Sequence, residues 1–241
     1  MVPQILYRRA YVLQESSSKL VVVVIYGESD FVAAATPEDT KWTPIIDATD
    51  VGDVAYCPTL GLTLFVQGSG FVSYCDLHQL LLVVSNNNKS PLRLVDYASP
   101  SKQISKLGNP KICRAITEKF YLLESFGDIL MVKRTYDQDT VMTDGFQVYK
   151  LDLQTKQWKS PATSVKASSF PSSCNPNSIY FNDDGREACY WYNDSGQMID
   201  FVQGGRDMGA WDFANSTVQP FYHGHDYLSY YSVPIWLMPQ L

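Results

Sequence analysis

The feature that most constrains this chain is a six-residue step that recurs between short apolar strands. Its clearest copy is Gly145-Phe-Gln-Val-Tyr-Lys-Leu-Asp152-Leu-Gln-Thr-Lys-Gln-Trp158: an alternating strand, an aspartate opening a polar turn, and a tryptophan beginning the next strand. The same step runs from Thr36 to Trp42 and from Asp212 to Val218, and a weaker copy runs from Asp76 to Leu82. The Asp or Thr side chain can hydrogen-bond amides of the turn, and the large apolar residue six positions on can drop between adjacent sheets. Thr36, Trp42, Asp76, Asp152, Trp158 and Asp212 are therefore the expected turn-and-wedge residues of a repeating unit. Such a unit cannot bury its apolar face alone and must stack against its own copies.

The remaining pattern agrees with strands. Short runs such as Leu20–Tyr26, Val54–Tyr56, Leu62–Val66, Phe71–Tyr74, Leu80–Val84, Ile129–Val132 and Phe146–Leu153 are bounded by Gly, Asn, Asp or Pro. Gln67-Gly68-Ser69-Gly70, Phe126-Gly127-Asp128 and Asn182-Asp183-Asp184-Gly185 have hairpin length and composition. Helical spacing occurs only at Ile112, Ala115, Ile116 and Phe120, where Pro110 leaves room for about three turns. The copies of the step lie 40, 76 and 60 residues apart, against about 40–50 for propeller blades. The excess falls in a turn-rich insert at 85–118, with one strand at Leu92–Tyr97, and in a Ser/Pro stretch at 160–175. These spacings predict an all-β, kelch-like β-propeller of about four to five blades, with a β-sandwich as the alternative. Residues 1–19 are expected to be a linker with a partial strand, and 20–241 the propeller domain.

Charge and composition exclude several classes. Nineteen Lys+Arg against 25 Asp+Glu give a net charge of −6, which argues against a broad phosphate-binding surface. Leu20–Tyr26 is far short of the roughly 20 apolar residues that span a bilayer, and its β-branching suits a buried strand. Neither nucleic acid nor membrane is expected as a partner. The run after Arg8-Arg9 ends at Gln14-Glu15, short of a signal-peptide core. Five cysteines, Cys57, Cys75, Cys113, Cys174 and Cys189, show no C-x-x-C spacing and read as reduced core thiols. Burial in strands would raise the pKa of Cys57 and Cys75. The expected location is intracellular, in nucleus or cytoplasm, with an organelle as the alternative.

Chemistry-bearing motifs are sparse. His223-Gly-His225-Asp226 groups metal-ligand residue types, but no fourth ligand is visible and Tyr222 and Tyr227 flank it, so an aromatic-rich loop is the preferred reading. Asn182–Gly185 lacks the first acid of a calcium loop, and Gly68-Ser-Gly lacks the third glycine of a dinucleotide fingerprint. No G-x-S-x-G elbow selects a nucleophile. Asp183, Asp184, Asp194 and Asp200 could supply a glycosidase pair but sit where turns and strand ends attract Asp anyway. No enzymatic activity and no cofactor are expected. Among the C-terminal aromatics, Trp191, Tyr222, Tyr227, Tyr230 and Tyr231 are candidates for an interaction surface, with most of the tail expected in the core.

Several ordered segments carry a resemblance. Tyr121–Arg134, Phe146–Leu153 with Trp158, Phe170–Asp184 and Asp207-Met-Gly-Ala-Trp-Asp-Phe213, with Lys41–Ile45 and Val51-Gly-Asp-Val54 upstream and Pro234-Ile-Trp236 at the end, together resemble the plant KIB-type β-propeller family. The resemblance covers roughly residues 18 to 236. It implies a propeller that receives a protein partner, as in F-box proteins, where an N-terminal F-box docks to the Skp adaptor of a ubiquitin ligase and the propeller is the substrate receptor. Residues 1–30 show no helical Leu/Pro-rich F-box, and by the family plan the opening blades are expected to be missing. The implied function is a protein-interaction propeller without its own F-box and with an unknown protein partner. The alternatives are a carbohydrate-active or carbohydrate-binding propeller, or a truncated copy with no independent function. A pulldown of this chain with a Skp-type adaptor should recover none, and stoichiometric co-purification would overturn the reading.

Overall fold

The computed structural model describes residues 7–16, 19–27, 29–76, 80, 94–98, 118–125, 127–137, 142–159, 178–181, 189–192, 198–202 and 207–221. Three four-stranded antiparallel meanders follow chain order: β1 (Tyr7–Ser16) to β4 (Thr43–Pro44) through β2 (Lys19–Tyr26) and β3 (Phe31–Ala35), then β5 (Val51–Cys57), β6 (Leu62–Gln67), β7 (Val72–Asp76) and β8 (Val95–Ala98), then β9 (Glu118–Ser125), β10 (Asp128–Tyr136), β11 (Thr143–Asp152) and β12 (Gln157–Lys159). A fourth sheet pairs β13 (Ser178–Phe181), β16 (Gly209–Asp212) and β17 (Thr217–Pro220), and β14 (Cys189–Tyr192) pairs with β15 (Met198–Val202) as a separate hairpin between β13 and β16 in the chain. The chain divides into two compact units, Met1–Leu107 with Lys119–Lys133 and Val148–Pro161, and Gly108–Glu118 with Arg134–Gln147 and Ala162–Leu241. The architecture is all-β, as the strand pattern predicts.

The repeated step occupies one place in every sheet that carries it: it follows the third strand, or in the fourth sheet the strand before the last. Asp152 ends β11 and its Oδ1 accepts the amides of Gln154 and Thr155 at 2.9 and 3.2 Å, while Lys159 of β12 reaches its Oδ2 at 2.6 Å. These bonds hold the Asp152 carboxyl down at about 2. Asp212 ends β16 and repeats the device, with Oδ1 accepting from Ala214 N–H at 2.8 Å and Oδ2 from Asn215 Nδ2 at 2.6 Å. After β3 the polarity is reversed, because Thr36 donates from both its N–H and its Oγ1 to Asp39 Oδ2. Asp76 ends β7, but the strand that follows in the sheet is β8, drawn from inside the insert close to the expected Leu92–Tyr97 strand. Tyr97 meets Tyr74 edge-on at 5.3 Å and Ala98 is buried, which fills that slot.

Within the first unit, period-two alternation sends the side chains of the second sheet to two different cores. Phe65 of β6 faces Val21, Val23, Ile25 and Val32 of the first sheet, whereas its neighbours Leu64 and Val66 face Phe120, Leu122, Met131, Tyr149 and Trp158 of the third. This places Trp158 between sheets as expected, at 5% exposure. Trp42 departs from expectation at 41% exposure. It precedes a strand of only two residues, and Pro44 has no N–H to lengthen the ladder. The valine run is the second strand of its sheet, and the expected linker before it contains a full ten-residue strand, paired from Tyr7↔Tyr26 to Ser16↔Lys19 with Leu13 in the core. Of the helical spacing at 112–120, the end lies in β9, where Phe120 and Leu122 alternate inward; residues 111–117 lie outside the described residues.

The second unit is centred on a buried cation. Arg134 of β10 donates from Nε to Thr143 Oγ1 at 2.7 Å and from Nη2 to Asp207 Oδ2 at 2.7 Å. Thr143 extends the network, its Oγ1 and N–H both donating to the same carboxylate oxygen. The guanidinium lies over Phe181, Tyr136 and Phe146, with its carbon 4.7, 5.0 and 5.6 Å from the ring centres. Two glycines let backbone and ring approach closely: a Cβ on Gly209 would stand 2.5 Å from Gln219 O, and one on Gly145 would stand 3.3 Å from the Trp211 ring.

Burial separates the two repeat tryptophans. Trp158→Ala should cost about 3–5 kcal/mol, the range for large-to-small core truncation, while Trp42→Ala should stay within about 0.5 kcal/mol. Urea denaturation of the two variants checks this, and equal losses would contradict the assignment of the wedge.

Candidate interaction surface

Three loops of the first unit share one end of the first two sheets: the β2–β3 turn, the β4–β5 connection and the β6–β7 hairpin. Antiparallel order dictates this, since β2 and β6 run toward the end where β3, β5 and β7 begin. Asp50 laces them together. Its N–H donates to Ser29 O at 2.9 Å, its carbonyl accepts Gly68 N–H at 2.8 Å, and Val51 N–H reaches Asp30 O at 3.3 Å. Asp30, Asp47 and Asp50 all adopt positive φ, the left-handed region that Asp tolerates better than most residues. The Gly68 hairpin that sequence reads as a turn is one, closed by Gly70 N–H to Gln67 O at 2.8 Å.

From this braced backbone three large apolar side chains project. Phe31 is 42% exposed, Ile46 37% and Phe71 42%, whereas their neighbours Val32, Ile45 and Val72 are buried. Sequence reading passes over them because each borders an apolar run and reads as strand or core. The available signal is position: Phe31 follows Asp30 and Phe71 follows Gly70, where the chain leaves a turn and the first side chain need not point inward.

Beneath the loops lies a buried polar cluster built from the first strands of three sheets. Asp53 of β5 accepts Tyr11 Oη of β1 at 2.5 Å on Oδ1 and Leu122 N–H of β9 at 2.8 Å on Oδ2. Arg9 donates to Gly52 O at 2.8 Å, lies 3.5 Å from Asp53 and covers the Tyr121 ring. Burial raises the Asp53 carboxyl, opposed by the Tyr11 hydrogen bond and Arg9, and burial with the Asp53 charge raises Tyr11. A tyrosine shifted upward stays protonated and donates; it is no nucleophile. The cluster is a clasp that fixes the strands under the loops.

The other residues singled out from the sequence fall in several places. Thr36, Asp152, Trp158 and Asp212 serve the sheets themselves, and Asp76 closes β7. Trp191 falls on β14 and Asp200 on β15, paired with each other in the ladder, with side chains outside the described residues. Tyr222, Tyr227, Tyr230, Tyr231, His223, His225 and Asp226 also lie outside them, as do Asp183, Asp184 and Asp194. Among the described residues, no three His, Cys, Asp or Glu are placed to hold a metal, and no helix is long and apolar enough to cross a membrane. Cys57 and Cys75 are buried thiols, and burial pushes Cys75 up to about 12.

The clasp makes a pH-dependent prediction. Asp53→Asn turns an amide N–H toward Leu122 N–H or Tyr11 Oη, and leaving a buried donor unmatched should cost about 1–3 kcal/mol. Because the folded pKa is raised, the Asp53 contribution is full below the ordinary carboxylate value and declines as pH rises through the folded pKa. The deficit of the variant, from urea titrations across acid to neutral pH, should therefore be largest at the acid end. A deficit growing toward neutral pH would contradict the raised carboxyl.

Known families give a match consistent with this geometry. A search of curated proteins found no match. The model of the KIB1-4 beta-propeller family matches residues 2–212, beginning earlier than the segments that carry the resemblance, so that it takes in β1 and the Arg9–Tyr11 half of the clasp. The chain belongs to the KIB1-4 β-propeller family.

Proposed function

We propose that this chain is a protein-recognition propeller domain and that it binds its partner through the loops carrying Phe31, Ile46 and Phe71. The observation that carries the reading is the combination of exposed apolar side chains with a hydrogen-bonded, left-handed backbone beneath them. Aromatic anchors on a preorganised frame offer large contact area at little ordering cost, which is what recognition surfaces use. Binding by this route needs no F-box and no adaptor. The domain in this reading contributes partner capture and leaves any chemistry to other proteins.

The test is a comparison of proteins captured in cells by the wild type, by Phe31→Ser/Phe71→Ser and by Trp42→Ser, which lies at the opposite end of the first sheet. Each variant should keep the wild-type circular dichroism and thermal midpoint. The loop variant should lose a reproducible set of proteins that the Trp42 variant retains. Identical captured sets with all three folded would overturn the reading.

A further inference from the structure

We propose that the β14–β15 hairpin is a second recognition element, whose β14 edge takes an extended, apolar segment of a partner protein as a third strand. This goes beyond the loop face and does not depend on it. β14 and β15 pair with each other and, among the described residues, with no other strand. Phe181 and Gly209 are partners across β13 and β16, so the chain leaves the fourth sheet after one residue of a ladder pair and rejoins it at the other. The point of return is fixed, because Asp207 is buried and its Oδ2 accepts from Arg134 Nη2 at 2.7 Å and from Thr143 N–H at 2.9 Å. A two-stranded hairpin thus hangs from a braced root.

A hairpin of two strands is marginal in water, and a third strand is what gives such a ribbon stability of its own. This separates β14 from the equally short β8 and β17, which complete sheets of four and three strands. Composition separates it too. Pro44, Lys159 and Pro220 stand on β4, β12 and β17, whereas Cys189-Tyr-Trp-Tyr192 and Met198-Ile-Asp-Phe-Val202 contain neither proline nor lysine, the residues that guard an edge. The two edges of the hairpin also differ. The register passes from Trp191↔Asp200 to Tyr192↔Met198, which leaves Ile199 as the extra residue of a bulge on β15. A bulge blunts an edge, so β14 is the regular one. In a ladder every second residue turns its N–H and C=O away from its partner strand, and on β14 these are the groups an added strand would pair. Its residues beside Tyr190, Trp191 and Tyr192 would be β-branched or aromatic, the cross-strand neighbours that aromatic residues favour. A second copy could bring only its own four-residue β14 to this edge, whereas a partner's extended segment can run past it in both directions.

The experiment is a random-peptide phage selection on the full chain, followed by hydrogen exchange and fluorescence anisotropy with the enriched peptides. A set rich in Val, Ile, Thr or aromatic residues should slow exchange of the Cys189–Tyr192 amides by roughly tenfold or more and leave the amides around Phe31 and Phe71 unchanged. N-methylation of alternate residues of such a peptide should weaken its binding about tenfold, the worth of one or two ladder hydrogen bonds, and N-methylation of the intervening residues should not. Phe31→Ser/Phe71→Ser should leave this binding intact. Methylation that acts equally at every position, or at none, would overturn strand addition. Protection confined to the Phe31 and Phe71 loops would overturn the hairpin as a recognition element and leave the loop face standing. Protection of β14 that grows with chain concentration in the absence of peptide would make a second copy the occupant and overturn the partner segment. A selection without enrichment would overturn capture of extended segments.

Discussion

A sheet covered on both faces has apolar side chains pointing both ways, and apolar contact has no direction. Strands such as β2 and β6 could slide along their neighbours with little change in buried area; polar groups fix the alignment. Asp53 takes hydrogen bonds from Tyr11, 42 residues before it, and from the Leu122 amide, 69 residues after it, so three first strands are registered through one carboxylate. Arg134 and Asp207, 73 residues apart, do the same for β10, β11 and the approach to β16. A charge this deeply placed is costly to bury unless all its hydrogen bonds are met in one arrangement. That requirement favours a single alignment where packing alone would allow several.

The parts of this arrangement that sequence reveals are local. Asp152 and Asp212 bond amides two and three residues on, so the turn that each opens is visible in a stretch of seven residues. The alternation of Leu64, Phe65 and Val66 between two cores is likewise a property of one strand. Trp42 shows the limit, since it holds the same step position as Trp158 and yet is exposed: the step fixes the turn, whereas burial depends on whether the following strand is long enough to carry the ring between sheets. Asp53, Arg134 and Asp207 all fall inside the segments that carry the family resemblance, but their partners are 9 to 73 residues away, and no spacing rule identifies them as buried charges. Tyr222, Tyr227, Tyr230 and Tyr231 draw notice as a recognition surface by composition. Phe31 and Phe71 look like core aromatics by composition, and only their place directly after Asp30 and Gly70, where backbone direction sets exposure, marks them off.

The loop face and the clasp are mechanically continuous. Val51 follows the lacing residue Asp50 and Asp53 lies two positions further on, so the chain that ties the loops together descends directly into the polar cluster. A frame fixed in this way does not need to order itself when a partner arrives, which lowers the entropic cost of association. It also means that loop substitutions and clasp substitutions have different signatures: the first remove contact area, and the second loosen the frame on which contact depends.

The outer strands have a consequence of their own. β4 has two residues and ends in Pro44, β12 has three and ends in Lys159, and β8 and β17 have four each, with Pro220 closing β17. Short edges bearing proline or lysine present too few consecutive free N–H and C=O groups to template another chain's strand. On this side of the sheets the valine-rich strand β2 and its neighbours are shielded from a second chain, while the other edges are the longer strands β1, β5 and β9. Strand addition by a neighbouring copy is thus opposed along β4, β8, β12 and β17, which leaves the long first strands as the edges whose cover matters most.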